Sequence, residues 1–259
     1  APPLAGWRAA EPGLTVSLRG ARFGCHRRKS ASPRRLDLPA LAAATVLLLL
    51  LAGCAGQPAQ RPAADQDPTQ HLLQTVAREH GAQAAERVRR WFRVIETRQR
   101  SDDDTRLQLA NDFFNQPRFT TDEDVWHQPD YWATPVEFLI KDAGDCEEFA
   151  IAKYFTLARM GVADDALRIT YVKALTLNQP HMVLAWYETP AADPLILDNL
   201  ESRILPASQR TDLIPVYSFN GTDLWLARSR REQVRSGEAA SLSHWRQLRE
   251  RFARQLTGP

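Results

Sequence analysis

Cysteine is scarce in this chain: Cys25, Cys54 and Cys146 are its only three in 259 residues. So few thiols cannot staple a fold, and a hydrophobic core must hold it instead. Long apolar runs are also missing. The longest, Ala40–Leu51, has 12 residues, whereas a bilayer crossing needs about 20. There is no internal repeat and no glycine-rich loop of the kind that cradles phosphate. Nor is there an excess of charge of one sign, since 33 Lys and Arg face 31 Asp and Glu. What surplus exists lies in residues 1–53, where eight basic residues meet only Glu11 and Asp37; the remainder carries a net charge of −4. The basic balance therefore belongs to the N-terminal stretch and argues for no nucleic-acid partner. With 44% hydrophobic and 25% charged residues, the chain has an ordinary globular composition, sufficient for one domain of about 200 residues.

The N-terminal stretch has the marks of a targeting segment. Arg34 and Arg35 precede the short apolar run, which ends in small residues, as secretory signals do. Its end, Leu51-Ala52-Gly53-Cys54, resembles the lipobox of bacterial lipoproteins, which would make Cys54 a lipid anchor. Cleavage after Ala55 by the ordinary signal peptidase, or an uncleaved anchor, are the alternatives. Residues 1–30 begin without Met and make a long basic lead-in, as expected of an over-extended gene start. We accordingly expect a targeting leader at 1–54, a flexible Pro/Gln/Asp-rich tether at 55–69, and a domain that works outside the cytoplasm.

Cys146 is then the single free thiol of an exported domain, either buried and inert or reactive. It stands in "KDAGDCEEFAIAKYF", flanked by Asp142, Asp145, Glu147 and Glu148. Negative neighbours oppose thiolate formation, so the company is unexpected for a reactive cysteine. The stretch "GDCEEFAIAKYFTLARMG" predicts a largely buried helix. Asp145 suits the N-cap, with Glu148 completing a capping box, and Gly161 suits the stop after Met160. Cys146 falls in the first turn, where free N–H groups and the helix dipole favour an anion on sulfur or on an attacked carbonyl.

A thiol nucleophile needs a base, and the base an orienting group. "HMVLAWY" (181–187) alternates as a strand, with His181, Val183, Ala185 and Tyr187 on one face and Met182, Leu184 and Trp186 on the other. A second apolar run, "LILDNL" (195–200), would pair with it as a hairpin and bring Asp198 near His181. Either residue alone is as readily structural. His127, before the "DYW" loop, is a weaker candidate base.

Elsewhere, Leu72, Leu73, Val76, Val88, Trp91, Phe92 and Ile95 suggest amphipathic helices over the core. "SDDDT" (101–105) predicts a solvated helix start, and Asn220-Gly221 a type I′ hairpin turn. Residues 229–259 predict a basic amphipathic helix with a stripe of Leu242, Trp245, Leu248, Phe252 and Leu256. That stripe either packs on the core or touches a membrane surface.

Cysteine at a helix start, histidine on a strand and aspartate on the next is the order of transglutaminase-like members of the papain-type fold. The likeness extends through "DYWATPVEFL" (130–139), "GDCEEFAIAKYFTLARMGV" (144–162), "LRITYVKA" (167–174), "HMVLAWYETP", "LILDNL", "ILPASQRTDLIPVYSFNG" (204–221) and "LWL" (224–226). Over residues 70–228 the chain resembles the bacterial transglutaminase-like cysteine proteinases, and among them those that trim giant biofilm adhesins in the periplasm. The resemblance implies an α+β, papain-like fold with helices packed on an antiparallel sheet. It implies Cys146 as nucleophile, His181 as base and later acid, and Asp198 as the group that aims the imidazole. It further implies cleavage of a large repeat adhesin at a twin-alanine site near its N-terminus, releasing it from the surface. Control would come from an inner-membrane cyclic-di-GMP receptor that sequesters the protease. Ca²⁺ is implied as cofactor, with Asp145 and Glu147 as ligands. Bound calcium would reverse the local charge and explain the crowded thiol. Two carboxylates do not fill a calcium sphere, so a residue of 122–130 and backbone carbonyls are expected to join them. The plainer alternative is that Asp145 only caps the helix and Glu147 only faces water. Other functions to weigh are an acyl transferase of the transglutaminase type and a non-catalytic lipid-anchored binding protein. Glu148 departs from the family, which carries aspartate there.

Overall fold

The computed structural model describes residues 67–97, 101–229 and 232–257. The leader, Cys25, Cys54 and the lipobox lie outside the described residues. Helix α1 (Pro68–Glu96) starts at the last residues assigned above to the tether. Asp67 caps it by accepting the Thr69 N–H at 3.0 Å, and Pro68 sits at the first position, where its missing N–H costs nothing. Gly81 (φ 87°, ψ 166°) divides α1 into two helical pieces, a conformation that glycine adopts without steric penalty. The buried face of α1 includes all seven apolar residues picked out from its sequence.

Helix α2 (Asp103–Phe114) begins in "SDDDT", with Asp102 accepting the Thr105 N–H at 2.9 Å. A short strand β1 (Arg118–Phe119), helix α3 (Asp122–Trp126), helix α4 (Pro135–Lys141) and strand β2 (Ala143–Gly144) lead into the long buried helix α5 (Cys146–Arg159). β1 and β2 pair in parallel, Arg118 opposite Ala143 and Phe119 opposite Gly144. The remaining strands form one antiparallel sheet: β3 (Leu167–Ala174), β4 (Gln179–Trp186), β5 (Leu195–Leu197), β6 (Leu205–Pro206), β7 (Leu213–Phe219), β8 (Asp223–Ala227) and β9 (Gln233–Glu238). Their order across the sheet is β6-β5-β4-β3-β7-β8-β9. Helix α6 (Ser243–Thr257) closes the fold. Helices packed on an antiparallel sheet are the α+β arrangement expected. Among the described residues no helix is long and apolar enough to cross a membrane.

Helix α5 is the hub because both its sides are apolar. Ile151, Tyr154 and Leu157 pack with Met182, Leu184 and Trp186 of β4 and with Trp245 and Leu248 of α6. Phe149 and Ala152 join a second cluster with α1, Phe138 of α4 and Phe252 of α6. At its end, Val162 N–H bonds Leu157 C=O and Gly161 N–H bonds Ala158 C=O, a Schellman stop with Gly161 at φ 91°. The alternation of β4 holds, since Val183, Ala185 and Tyr187 fall in a separate cluster on the sheet's other side.

Two details differ from the sequence reading. Residues 229–259 are not one helix: β9 extends the sheet first, and α6 begins only at Ser243. The apolar stripe of α6 faces the core, with Trp245 and Leu248 fully buried and Phe252 nearly so. Each such side chain contributes about 1.5–3 kcal/mol when buried, so this face is not available to a membrane. Nor is Asn220-Gly221 a type I′ turn. Neither residue has the positive φ that turn requires. Instead the Asn220 side chain accepts the Thr222 and Asp223 N–H groups at 2.9 and 2.8 Å. A Cβ on Gly221 would lie 2.8 Å from the Asp164 carboxylate, so glycine serves a close approach.

Candidate active site and cation cluster

The β1–β2 pair brings together two acidic residues far apart in sequence. Past its paired ends, Thr120 N–H bonds Gly144 C=O at 2.9 Å, so Asp122 and Asp145 leave the ladder side by side. Asp145 takes the N-cap of α5 in extended conformation (φ −107°, ψ −162°). Glu148 at N3 turns back: its Oε2 accepts the Asp145 N–H at 3.0 Å and its Oε1 the Ala133 N–H at 2.9 Å. Gly144 leaves room for this, because a Cβ there would meet the Glu148 Cγ at 2.9 Å.

Carboxylates crowd this corner. Single ligand atoms of Asp122, Asp145 and Glu148 lie within 4.8 Å of one another, as do those of Asp122, Asp130 and Glu147, and of Asp145, Cys146 and Glu147. Asp122 is 3% exposed, and its Oδ2 accepts the Tyr131 N–H at 2.5 Å. The other oxygen, Asp122 Oδ1, is buried without a hydrogen-bond partner, and so is Asp145 Oδ1. Burial, then repulsion from Asp145, raises the Asp122 pKa to about 7. Burial, then Glu147, raises that of Asp145 to about 9. Glu147 and Glu148 are pushed upward too, mainly by burial. Buried oxygens without donors and carboxylates that repel each other fit a hard divalent cation with oxygen ligands. The sequence reading named Asp145 and Glu147. It pointed to residues 122–130 without choosing among them, and Asp122 and Asp130 are the ones the fold delivers.

The thiol sits between this cluster and the sheet. Cys146 is partly buried, and its Sγ donates to Glu147 Oε2 at 3.0 Å. Burial, then the Glu147 and Asp145 charges, pushes its pKa well above the ordinary thiol value, with the Met182 backbone amide acting weakly the other way. Cys146 packs against the core cluster that includes Met182 of β4, one residue past His181.

His181 is 2% exposed and its Nε2 lies 2.8 Å from Asp198 Oδ1. The hairpin register explains the pairing: Leu197 opposes Leu184, which places Asp198 one residue beyond the last β4–β5 pair, toward His181. Asp198 also accepts the Leu200 N–H at 3.0 Å and Arg210 Nη2 at 2.8 Å. Burial works to raise the Asp198 pKa; His181, Leu200 N–H and Arg210 outweigh it and hold it at about 2. Nearby, Lys153 of α5 is fully buried, and burial lowers its pKa to about 7 against the attraction of Asp198 and Asp112. The structure brings His181 and Asp198 together, and places Cys146 against the cluster that holds Met182, the neighbour of His181 on β4. His127, by contrast, is exposed at the end of α3 with φ 56°. Sequence reasoning missed Arg210, whose only local signal is its nearness to Asp212.

A thiol in the first turn of a buried helix packed on an antiparallel sheet, with a buried His–Asp pair on that sheet's hairpin, is the arrangement of the transglutaminase-like cysteine protease fold. The family profile of bacterial transglutaminase-like cysteine proteinases (BTLCP) matches residues 66–227. This chain belongs to that family. It is similar to Legionella pneumophila LapG in an EGTA-treated structure, at 45% identity and TM-score 0.63, covering 71% of this chain and 96% of that one. The calcium-bound structure of the same protein matches at 45% identity and TM-score 0.62, covering 71% of this chain and 98% of that one. No curated protein matched.

Proposed function

We propose that this protein is a calcium-dependent periplasmic cysteine endopeptidase that cuts the N-terminal region of a large repeat adhesin at a twin-alanine site and so releases it from the cell surface. The buried His181–Asp198 pair, on a strand whose next residue, Met182, lies in the cluster against which Cys146 packs, carries the proposal. Cys146 attacks the scissile carbonyl as thiolate, with His181 taking its proton and later giving it to the leaving amine. The free N–H groups of the first turn of α5 stabilise the oxyanion. Water, activated by the same imidazole, releases the acyl group. Asp198 fixes the tautomer and aim of the ring.

Asp122, Asp130, Asp145, Glu147 and Glu148 are the residues that would hold calcium. When bound, the ion offsets the carboxylate charge that otherwise keeps the thiol protonated. The calcium-bound form of the Legionella relative supports this reading. The family resemblance supports the adhesin substrate and an inner-membrane cyclic-di-GMP receptor that sequesters the enzyme. The lipobox supports an anchor through Cys54.

The test is cleavage of an N-terminal fragment of a large repeat adhesin that carries a twin-alanine site. Cutting with Ca²⁺, none with EGTA, and none by Cys146→Ala or His181→Ala is the expected result. Full activity in either variant would overturn the triad. Incorporation of an amine into a glutamine peptide would point to acyl transfer instead. For the anchor, Cys54→Ser should release the protein from membranes, and a wild-type protein that is wholly soluble after processing contradicts the lipobox.

A further inference from the structure

Arg210 lies in the family-like stretch 204–221 without an assigned role, and it is the best-buried guanidinium of the described residues, 6% exposed. Its Nη2 donates to Asp198 Oδ2 at 2.8 Å, the oxygen that His181 does not use. Its Nε and Nη2 hold Asp212 at 3.0 and 2.9 Å. The backbone on either side is fixed too: Arg210 N–H bonds Ala207 C=O, and Leu213 N–H bonds Arg210 C=O, both at 3.1 Å. A planar fork can hold two carboxylates in one geometry, as a lysine ammonium cannot.

We propose that Arg210 is a positioning residue for the His181–Asp198 pair, holding Asp198 ionised and in register whichever charge the imidazole carries. This rests on the triad reading above. The physical need is plain. Asp198 is 1% exposed, and a buried carboxylate opposite a neutral imidazole would have no compensating charge. Left with histidine alone, the pair would favour the imidazolium, and a protonated ring cannot act as a base. Arg210 supplies a second cation that does not titrate. The other charged groups facing the pair are Lys153 from α5, Asp112 from α2, and Asp212 and Glu201 beyond Arg210. Asn115, which caps the C-terminus of α2 and whose Nδ2 donates to the Asp198 C=O at 2.9 Å, holds the backbone but not the carboxylate.

The measurement is an NMR titration of the His181 imidazole in calcium-loaded Cys146→Ala protein, with and without a second substitution at Arg210. Arg210→Gln should raise the imidazole pKa by about one unit, a tenfold shift in protonation, because a cation beside Asp198 is lost. Arg210→Lys should leave it near the parent value. In the enzyme with Cys146 intact, Arg210→Gln should lower kcat on the order of tenfold or more with KM little changed. Its His181-governed limb of the pH–rate profile should move to higher pH, a displacement that a purely structural role would not produce. Should Arg210→Gln fail to fold, Asp212→Asn answers the question, since the Asp212 side chain is 39% exposed and its loss frees the outer end of the fork. It should lower kcat severalfold at constant KM. An unmoved imidazole titration in Arg210→Gln, or wild-type kcat in Asp212→Asn, overturns the role of Arg210. If Cys146→Ala and His181→Ala are inactive while that happens, the triad stands and only this inference falls. If they cleave, the triad itself is wrong.

Discussion

The Cys146 sulfur donates its hydrogen bond to Glu147 Oε2 at 3.0 Å, so the nucleophile of the proposed mechanism is tied to its own neighbour's carboxylate. An acceptor of this kind, backed by Asp145, stabilises the thiol over the thiolate. A cation that draws on Glu147 and Asp145 removes that bias. Alkylation of Cys146 by iodoacetamide at neutral pH should therefore be faster with Ca²⁺ than with EGTA, and Mg²⁺ should substitute poorly because it prefers a smaller octahedral site. Equal alkylation rates in the two conditions would mean that calcium does not act through thiol ionisation.

Without metal, the carboxylate cluster should make stability fall with rising pH. Asp122 and Asp145 have ordinary values of 3.8 but titrate near 7 and near 9 in the fold. Between those limits the folded state binds more protons than the unfolded chain, so unfolding free energy declines as pH rises. The contribution is complete below about pH 4 and is lost as pH passes through 7 toward 9. With EGTA, Tm should drop from pH 5 to pH 8, and saturating Ca²⁺ should remove most of that slope. Asp122→Asn should raise Tm in EGTA while weakening calcium binding. A Tm that is flat with pH in EGTA contradicts the mutual burial of these groups.

Gly144 is a packing requirement of the same corner. Gly144→Ala places a Cβ 2.9 Å from both Cγ and Oε2 of Glu148, whose carboxylate holds the Asp145 and Ala133 N–H groups. Overpacking of this kind typically costs about 1–3 kcal/mol. We expect a matching loss in denaturant unfolding together with weaker calcium binding by calorimetry. A variant with wild-type stability and affinity would show that Glu148 can move aside freely.

Helix α6 should behave as core. Leu248 is fully buried, and Leu248→Ala should cost about 2–5 kcal/mol of unfolding free energy. Binding of the domain, without its leader, to anionic vesicles should not change. A stable Leu248→Ala protein with reduced vesicle binding would restore the membrane-surface reading.

Much of the site was legible because its determinants are local. The caps of α5 lie within three residues of the helix ends, so Asp145, Glu148 and Gly161 announced where the helix starts and stops, and hence where Cys146 stands. The period of two in 181–187 likewise separated Val183 and Ala185 from Met182 and Leu184 before any coordinate was known. Where a local signal admitted two solutions, the structure chose. Asn220-Gly221 has the composition of a type I′ turn, but the Asp164 carboxylate, 57 positions away in sequence, accepts the Gly221 N–H at 3.1 Å and the segment bends around it instead.

What sequence by itself determined was the chemistry at each position: a thiol in the first turn of a helix, an imidazole on a strand, a carboxylate on the strand that follows. What only tertiary structure decided was which distant groups surround them. Asp122 reaches Asp145 because β1 and β2 pair in parallel, a contact set by loop closure and burial rather than by any periodicity. Arg210 reaches Asp198 because two loops converge where a buried carboxylate needs a cation, a demand that exists only once water has been excluded.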